Sequence, residues 1–382
     1  MEALPSQLNV ELGRQLDFRE SNVAVTIYEV ANQAGVGIGT VSRVLNDSPN
    51  VSPETRQRVL NAIEALDYRP SPIAQRLSLR RTLTIGVIVP FFTRPSTVER
   101  LRGIEAAIAD TYYDLTIYNV ETVARRDSCF AEVPAAGRVD GVIVISLRPT
   151  DEDVARWNSV GVPVVLVDAF HPELSCIAVD DVEGGYQATK HLIDLGHTHI
   201  AFTGDLVDQA FGFRSSWDRY QGYCNALQDF HLPQTDGYYR TAEHGREQAR
   251  AMTHELLSLP APPTAIVSAS DTQALGVIEA ARDLGLRYPG QLSVIGYDDI
   301  EVAGFINLTT MRQPLFETGQ QGFQLLLRAI ELPTAEIIHQ RMPVSIVERG
   351  TTVAPGRAPL PENQPIYRAN DREAGFAPGL ES

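Results

Sequence analysis

Apolar positions along the 382 residues recur with two different periods, and the change falls near Leu83. Before it the spacing is helical. Ile27, Val30, Ala31 and Ala34 lie three or four apart and share one face of a first helix. Thr26 with Glu29 forms a capping box, and Val25 against Val30 staples the start. Gly35 gives the freedom to turn, and Ala31 is small enough for a second helix to approach closely. That helix closes a small core with Val36, Val41, Val44 and Leu45, and it leaves Ile38, Gly39, Thr40, Ser42 and Arg43 facing outward. Ser52, Pro53 and Glu54 supply an N-cap, an N1 proline and an acidic first turn for a third helix, lined by Val59, Ala62, Ile63 and Leu66.

From Leu83 onward, short apolar runs alternate with helical stretches, the pattern of parallel βαβ units. Strands are expected at Leu83–Val89, Leu115–Tyr118, Val139–Ile145 and Val164–Val167. A second series starts near Ile177, with strands Ile200–Thr203, Ala265–Val267 and Leu292–Ile295. Helices are expected at Thr97–Ala109, Gly184–Leu195 and around 216–229, 244–258 and 271–284. The fold class is therefore a small all-α helix-turn-helix headpiece followed by an α/β core of two lobes, each a doubly wound parallel sheet. Ligands of such sheets bind beyond the carboxyl ends of the strands, so the cleft between the lobes is the natural site.

The expected organisation is an N-terminal extension at 1–24 that stays disordered, a headpiece at 25–70, a hinge at 71–82, the two-lobed core at 83–354 and a disordered tail at 355–382. Ser71 caps a segment from Pro72 that is too short to hold as a helix without a partner. The tail is rich in Pro, Gly and charge and has no leucine heptads, which argues for a dimer and against a tetramer.

Charge and composition refine this picture. A net charge of −16 argues against nucleic-acid binding by the chain as a whole. Over 26–81, however, seven arginines face five acidic residues, so the acidity sits in the larger body. Residues 1–24 lack the basic start and apolar run of a signal or anchor, so no membrane association is expected. Three widely spaced cysteines, Cys129, Cys176 and Cys224, suit reduced thiols in a cytoplasm. The glycines at 35, 37 and 39 lack dinucleotide-loop spacing and follow a helix, so no nucleotide cofactor is implied. His191, His197 and His199 read as structural, not as a metal set. The acidic groups at 180, 181, 183, 298 and 299 have no activated nucleophile nearby and read as helix caps and hydroxyl acceptors, not as paired catalytic acids. No catalytic residue, cofactor or metal is assigned.

Residues 26–81 resemble the headpiece and hinge of the LacI/GalR (lactose-repressor) family of bacterial transcription regulators. The match lies at Val30-Ala31, Ala34-Gly35-Val36, Thr40 through Asn46, Val51-Ser52, Thr55-Arg56, Tyr68 and Pro70, and Ala74 and Leu77. It continues through Asp140-Gly141, Gly184, His191-Leu192, Leu195-Gly196-His197, Gly222-Tyr223, Ser270-Asp271, Ala274-Leu275-Gly276, Gly296 to Asp299, Leu308-Thr309-Thr310 and Gln313-Pro314. The family's core is similar to periplasmic sugar-binding proteins. By this resemblance Thr26, Tyr28, Ile38, Gly39, Thr40, Ser42, Arg43, Asn46, Ser52 and Arg56 contact operator DNA, and Ala74 and Leu77 belong to a hinge helix whose Leu77 wedges into the minor groove. One departure is local: Gly37, Ile38 and Gly39 stand where the family opens its recognition helix with hydrogen-bonding side chains.

The same resemblance places Arg219 and Asp298 as ligand contacts, together with Glu183, Ser270 and Gln313. A guanidinium fork and a carboxylate suit a polyhydroxylated molecule, so the expected effector is a sugar. Phe91, Phe92 and Trp217 either stack on its apolar face or fill core. The implied function is a dimeric repressor of double-stranded operator DNA, controlled by a small ligand whose sense, inducing or co-repressing, stays open. A sugar-binding transport protein and a doubly wound enzyme are the rival readings; the first would need an export signal and no headpiece, the second a catalytic constellation.

Overall fold

A computed structural model describes residues 25–45, 48–68, 81–135, 137–207, 211–332, 334 and 336–356. The expectations for Asn46, Ala74 and Leu77, for the extension at 1–24, for the hinge up to residue 80 and for the tail from 357 lie outside the described residues. The chain divides into two units, Met1–Arg81 and Thr82–Ser382.

The first unit holds three helices, α1 (Ile27–Ala34), α2 (Ile38–Leu45) and α3 (Pro53–Ala65). The Glu29 carboxylate accepts from the Thr26 N–H at 2.7 Å and from its hydroxyl at 2.9 Å, which fixes the start of α1. Gly35 ends that helix with φ +62°, a left-handed conformation that side chains disfavour, and Val36 N–H closes the turn onto Ala31 O at 3.0 Å. Val30, Ala31, Ala34, Val41, Val44, Val59, Ala62 and Tyr68 form the buried centre, with Val25 packed against it. Arg56 donates to Ser48 O at 2.6 Å, tying the loop after α2 to α3.

The second unit carries two six-stranded sheets. Sheet one runs β11-β5-β4-β3-β1-β2 and is parallel throughout, from β1 (Thr84–Pro90), β2 (Asp114–Val120), β3 (Gly141–Ile145), β4 (Val164–Val167), β5 (Ser175–Val179) and β11 (His339–Met342). Sheet two runs β12-β10-β9-β8-β6-β7, from β6 (Ile200–Asp205), β7 (Tyr239–Ala242), β8 (Ala265–Ser268), β9 (Ser293–Asp298), β10 (Thr309–Arg312) and β12 (Ser345–Val347). Only β12 is antiparallel there, against β10. Both faces of each sheet are covered, so the central strands are apolar on both sides. In β3, Val142 and Val144 join one buried cluster while Ile143 and Ile145 join the other.

Helices α4 (Pro95–Ile108), α5 (Val123–Glu132), α6 (Asp151–Val160) and α12 (Leu315–Glu331) belong to the first lobe. The second lobe has α7 (Asp181–Asp194), α8 (Ser215–Asp229), α9 (Arg246–Leu257), α10 (Asp271–Asp283) and α11 (Glu301–Phe305). One boundary differs from the pattern-based expectation. Ile177, expected to begin the second series, pairs with Val167 in sheet one, because the returning helix α12 covers it with Phe323. The chain therefore changes lobe three times: after Val179, at Gln313 and Pro314, and between Met342 and Ser345.

Three helix pairs cross with backbones in contact, α9 with α10 at Gly276 and two that bear on the cleft. A Cβ on Gly103 of α4 would lie 1.9 Å from Phe316 O of α12, and one on Gly319 would lie 1.9 Å from Arg100 O. In the other lobe a Cβ on Gly185 of α7 would lie 2.0 Å from Arg219 O, and one on Gly222 of α8 would lie 2.0 Å from Val182 O. These contacts hold Arg100 and Arg219 in fixed positions at the inner ends of their helices.

Candidate functional site

In the first unit, α2 buries Val41 and Val44 and presents Gly39 and Arg43 to solvent, with Ile38 37% exposed. Tyr28 on α1 is 65% exposed, Thr26 and Ser52 are exposed, and Thr40 and Ser42 are half-buried. Ser52 accepts from Thr55 N–H at 3.3 Å and so caps α3. Gly37 lies just outside α2, its carbonyl accepting from Thr40 and Val41 N–H, so it occupies the cap position where glycine costs little. Gly39 is inside the helix, and nothing lies within 4 Å of where its Cβ would be. Gly39→Ala should therefore stabilise the headpiece by roughly 0.8–1 kcal/mol. Thermal unfolding of an isolated 25–81 fragment checks this, and an unchanged or lowered midpoint would reject it.

The cleft of the second unit is built where strands end. Pro90 closes β1, Ser146 follows β3, Asp168 follows β4, Asp205 closes β6, Ala269 and Ser270 follow β8, and Asp298 closes β9. All line one shared space, together with Arg94, Ser96, Thr97 and Arg100 around the start of α4, Phe213, Ser215, Ser216 and Arg219 around α8, His244, and Gln313 in the crossing segment. This is the carboxyl-end position that such sheets offer to ligands.

A polar chain spans the lobes through this space. Arg100 meets Asp168 at 3.1 Å and donates to Gln313 Oε1 at 3.1 Å, and Gln313 Nε2 donates to Asp298 Oδ1 at 2.6 Å. Asp168 also accepts from the Ser146 hydroxyl at 2.6 Å. Arg219 donates to Asp181 Oδ1 at 2.8 Å and to Ala269 O, and it stands 3.6 Å from Asp298. Its guanidinium lies 3.7 Å above the Tyr297 ring, a cation–π contact. Asp205 accepts from Gln273 at 2.9 Å and faces His244 Nδ1 at 3.0 Å.

Burial pushes the Asp298 carboxyl above its usual range, against the pull of Arg219 and Arg100. Burial likewise raises Asp181 to about 6, with Arg219 opposing. Burial disfavours the charged form of Arg219, but Asp181 and Asp298 outweigh it and hold the guanidinium protonated.

Of the expected ligand contacts, the structure brings Arg219, Ser270, Asp298 and Gln313 together. Ser270 caps α10, accepting from Gln273 N–H at 3.2 Å. The other four lie outside this lining. Phe91 packs on Phe211 at 5.7 Å, Phe92 is 43% exposed, and Trp217 packs on Tyr220 at 5.5 Å. Glu183 is exposed and accepts from Gln187 at 2.7 Å on the same helix. The aromatic ring in the cleft is Phe213. Sequence reasoning also missed Arg94, Arg100, Asp168, Asp205 and His244.

The space enclosed by these groups is about 30 Å³, room for about one water molecule. Beside it, sharing Ser146, Asp168 and Ser215, lies a cavity of about 390 Å³ edged by Arg148, Phe170, Asp180, Asp218, His339 and Arg341. Among the described residues no group of acidic, histidine and cysteine side chains could hold a metal ion, and no helix is long and apolar enough to cross a membrane. The histidines have other partners. His197 is buried between Thr264 Oγ1 at 2.9 Å, Ser293 Oγ at 3.1 Å and Val353 O at 2.8 Å, and His191 meets Thr352 Oγ1 at 3.0 Å.

Comparison with known proteins agrees with both units. Residues 26–71 match the model of bacterial regulatory proteins of the lacI family, and 189–352 match the periplasmic binding protein-like domain. The chain is 33% identical to the ribose operon repressor of Escherichia coli (strain K12) over 85% of its own length and 99% of that protein's. Its fold superposes on the lac repressor dimer bound to operator and the anti-inducer ONPF with a TM-score of 0.76 at 29% identity, covering 87% of this chain and 100% of that one. A complex of the transcriptional regulator CelR with cellobiose gives a TM-score of 0.64 at 28% identity, over 86% and 100% of the two chains. Members of this group are transcriptional regulators, not enzymes. With a helical reading head and a two-lobed cleft both matched, the chain belongs to the lacI family of bacterial regulatory proteins: it is a DNA-binding transcriptional repressor with a ligand-binding core.

Proposed function

We propose that the protein represses transcription in the cytoplasm as a homodimer on a near-palindromic operator, and that a polyhydroxylated small molecule bound in the cleft controls it. The observation that carries the ligand class is the convergence of Arg219, Asp298, Gln313 and Ser270 on one space at the strand ends. Buried donors and acceptors held in fixed geometry favour a ligand with many hydroxyls, because a molecule lacking them would leave those groups unpaired. The cellobiose held by the similar regulator CelR supports the same class. For the DNA, Arg43 carries the charge on α2 while Ile38 offers apolar contact, which fits a thymine methyl.

Two headpieces in successive major grooves double the contact area, and the modest local charge makes that pairing necessary for tight binding. The space between these groups is about 30 Å³, too small alone for a sugar, so a ligand that reaches them must extend from the adjoining cavity of about 390 Å³ or enter as the lobes part. A ligand that prefers one lobe arrangement shifts the population of that state, and operator affinity shifts with it.

The test is footprinting of the purified protein on its own upstream region. Protection of two half-sites about one helical turn apart is expected, altered by a sugar, and Arg43→Ala should weaken it by about ten- to a hundredfold. No protection with or without small molecules would reject the reading.

A further inference from the structure

Within the cleft the carboxylates are all engaged. Asp168 is met by Arg100 and Ser146, Asp205 by His244 and Gln273, and Asp298 by Gln313 and Arg219. Arg94 is different. Its guanidinium lies 4.0 Å above the Phe91 ring and 5.6 Å from the Phe213 ring, and among the described residues no carboxylate lies within ion-pair distance of it. Two phenyl rings hold a cation facing the cleft but do not neutralise it, and burial pulls its pKa down, against the weaker influence of Asp205.

The surroundings add further donors, while the carboxylates that share the space, Asp168, Asp205 and Asp298, are already paired with other groups. Arg94 occupies the cap of α4 without a side-chain hydrogen bond to the helix, and Val98 is the first residue whose N–H bonds within it, to Arg94 O at 2.9 Å. The Ser96 and Thr97 amides precede it, in the turn that has no intrahelical acceptor and carries the positive end of a 14-residue helix. Ser96 and Thr97 line the cleft. One turn further, Arg100 is only 3% exposed and its Nε is buried with no hydrogen-bond partner. A buried donor without a partner is costly, and a bound acceptor would remove that cost.

We propose that the ligand carries an anionic group, a carboxylate or a phosphate ester, seated at the start of α4 against Arg94 and Arg100, with its hydroxylated body toward Arg219 and Asp298. This rests on the polyhydroxylated-ligand reading above and narrows it. The Phe91 ring, for which the sequence left open stacking on a sugar or filling core, serves here as the platform that positions the Arg94 cation.

The experiment is calorimetric titration of the full chain with neutral sugars, their aldonic acids and their phosphate monoesters, alongside inorganic phosphate. Repeats use Arg94→Met, which keeps the apolar stem over Phe91, and Arg94→Lys, which keeps the charge. The acid or the ester should bind about ten- to a hundredfold more tightly than its neutral parent, with Arg94→Met abolishing the preference and Arg94→Lys restoring part of it. Which anion wins identifies the group. Equal or tighter binding of the neutral sugar, or a preference that survives Arg94→Met, overturns the inference and leaves the sugar reading intact. Binding of neither class overturns both.

Discussion

Arg219→Leu should destabilise the ligand-binding unit by about 3–5 kcal/mol at neutral pH, and by less as the pH is lowered. The substitution fills much of the volume but leaves Asp181 and Asp298 facing each other across a buried space, with the nearest cation gone. Burial raises both carboxyls even with Arg219 present, Asp181 to about 6 against an ordinary 3.8. Without the guanidinium they rise further, because the first cause remains and the strongest opposing charge is removed. A carboxyl whose folded pKa lies above its unfolded one contributes stability that is complete below the unfolded value and is lost as pH climbs through the folded value. The gap between wild type and variant should therefore be small near pH 4 and widen steadily above pH 6. Denaturant unfolding across that range measures it, and a gap that does not change with pH would show that lost packing, not stranded charge, is the cause.

Gly319→Val should prevent the first lobe from assembling. A Cβ there lies 1.9 Å from the Arg100 carbonyl, and the reciprocal contact at Gly103 is equally short, so neither helix can give way by rotating a side chain. α12 would have to lift off α4 by more than an ångström, dragging Phe323, Leu326 and Ile330 out of the face of sheet one that they cover. Overpacking of an ordinary core costs about 1–3 kcal/mol; here the obstacle is backbone on both sides, so loss of a cooperative unfolding transition is expected. Gly319→Ala places the same Cβ against that carbonyl without the branched methyls, and is the informative smaller change. It should lower the melting temperature and weaken ligand binding together, since the same shift moves Arg100 away from Gln313. A Gly319→Val protein melting with the wild type would refute the close-approach argument.

How much of this was visible beforehand depended on whether a residue's role was set locally. The headpiece helices announce themselves because capping, the left-handed Gly35 and the apolar stripe all act within a few residues. The buried strands β1, β3, β4, β8 and β9 stand out as apolar runs because helices cover both faces. The edge strands β7 and β11 do not. Tyr239–Ala242 is half-exposed throughout and His339–Met342 alternates between exposed and half-buried, so neither shows an apolar pattern. Their strand character comes from a neighbour's hydrogen bonds.

The cleft followed the same division. Arg219, Asp298, Ser270 and Gln313 were reached through family resemblance, whereas Arg94, Arg100, Asp168, Asp205 and His244 come from segments that meet only after both sheets close. Two signals could have found some of them. A polar residue directly after a buried strand, as at Ser146 and Asp168, points into the ligand end of a parallel sheet. An arginine on the buried stripe of a helix, as Arg100 beside Thr97 and Ile104, requires a partner that the local sequence does not supply.

The three changes of lobe bear on how the molecule is made. Sheet one gains its outer strand β11, and sheet two gains β12, from residues 339–347, and α12 is also late. As synthesis proceeds from the N-terminus, the headpiece helices emerge whole, but each half of the ligand-binding body waits for the final stretch with one sheet edge uncovered. A message cut short near codon 300 would thus yield a folded headpiece attached to two unfinished, aggregation-prone halves.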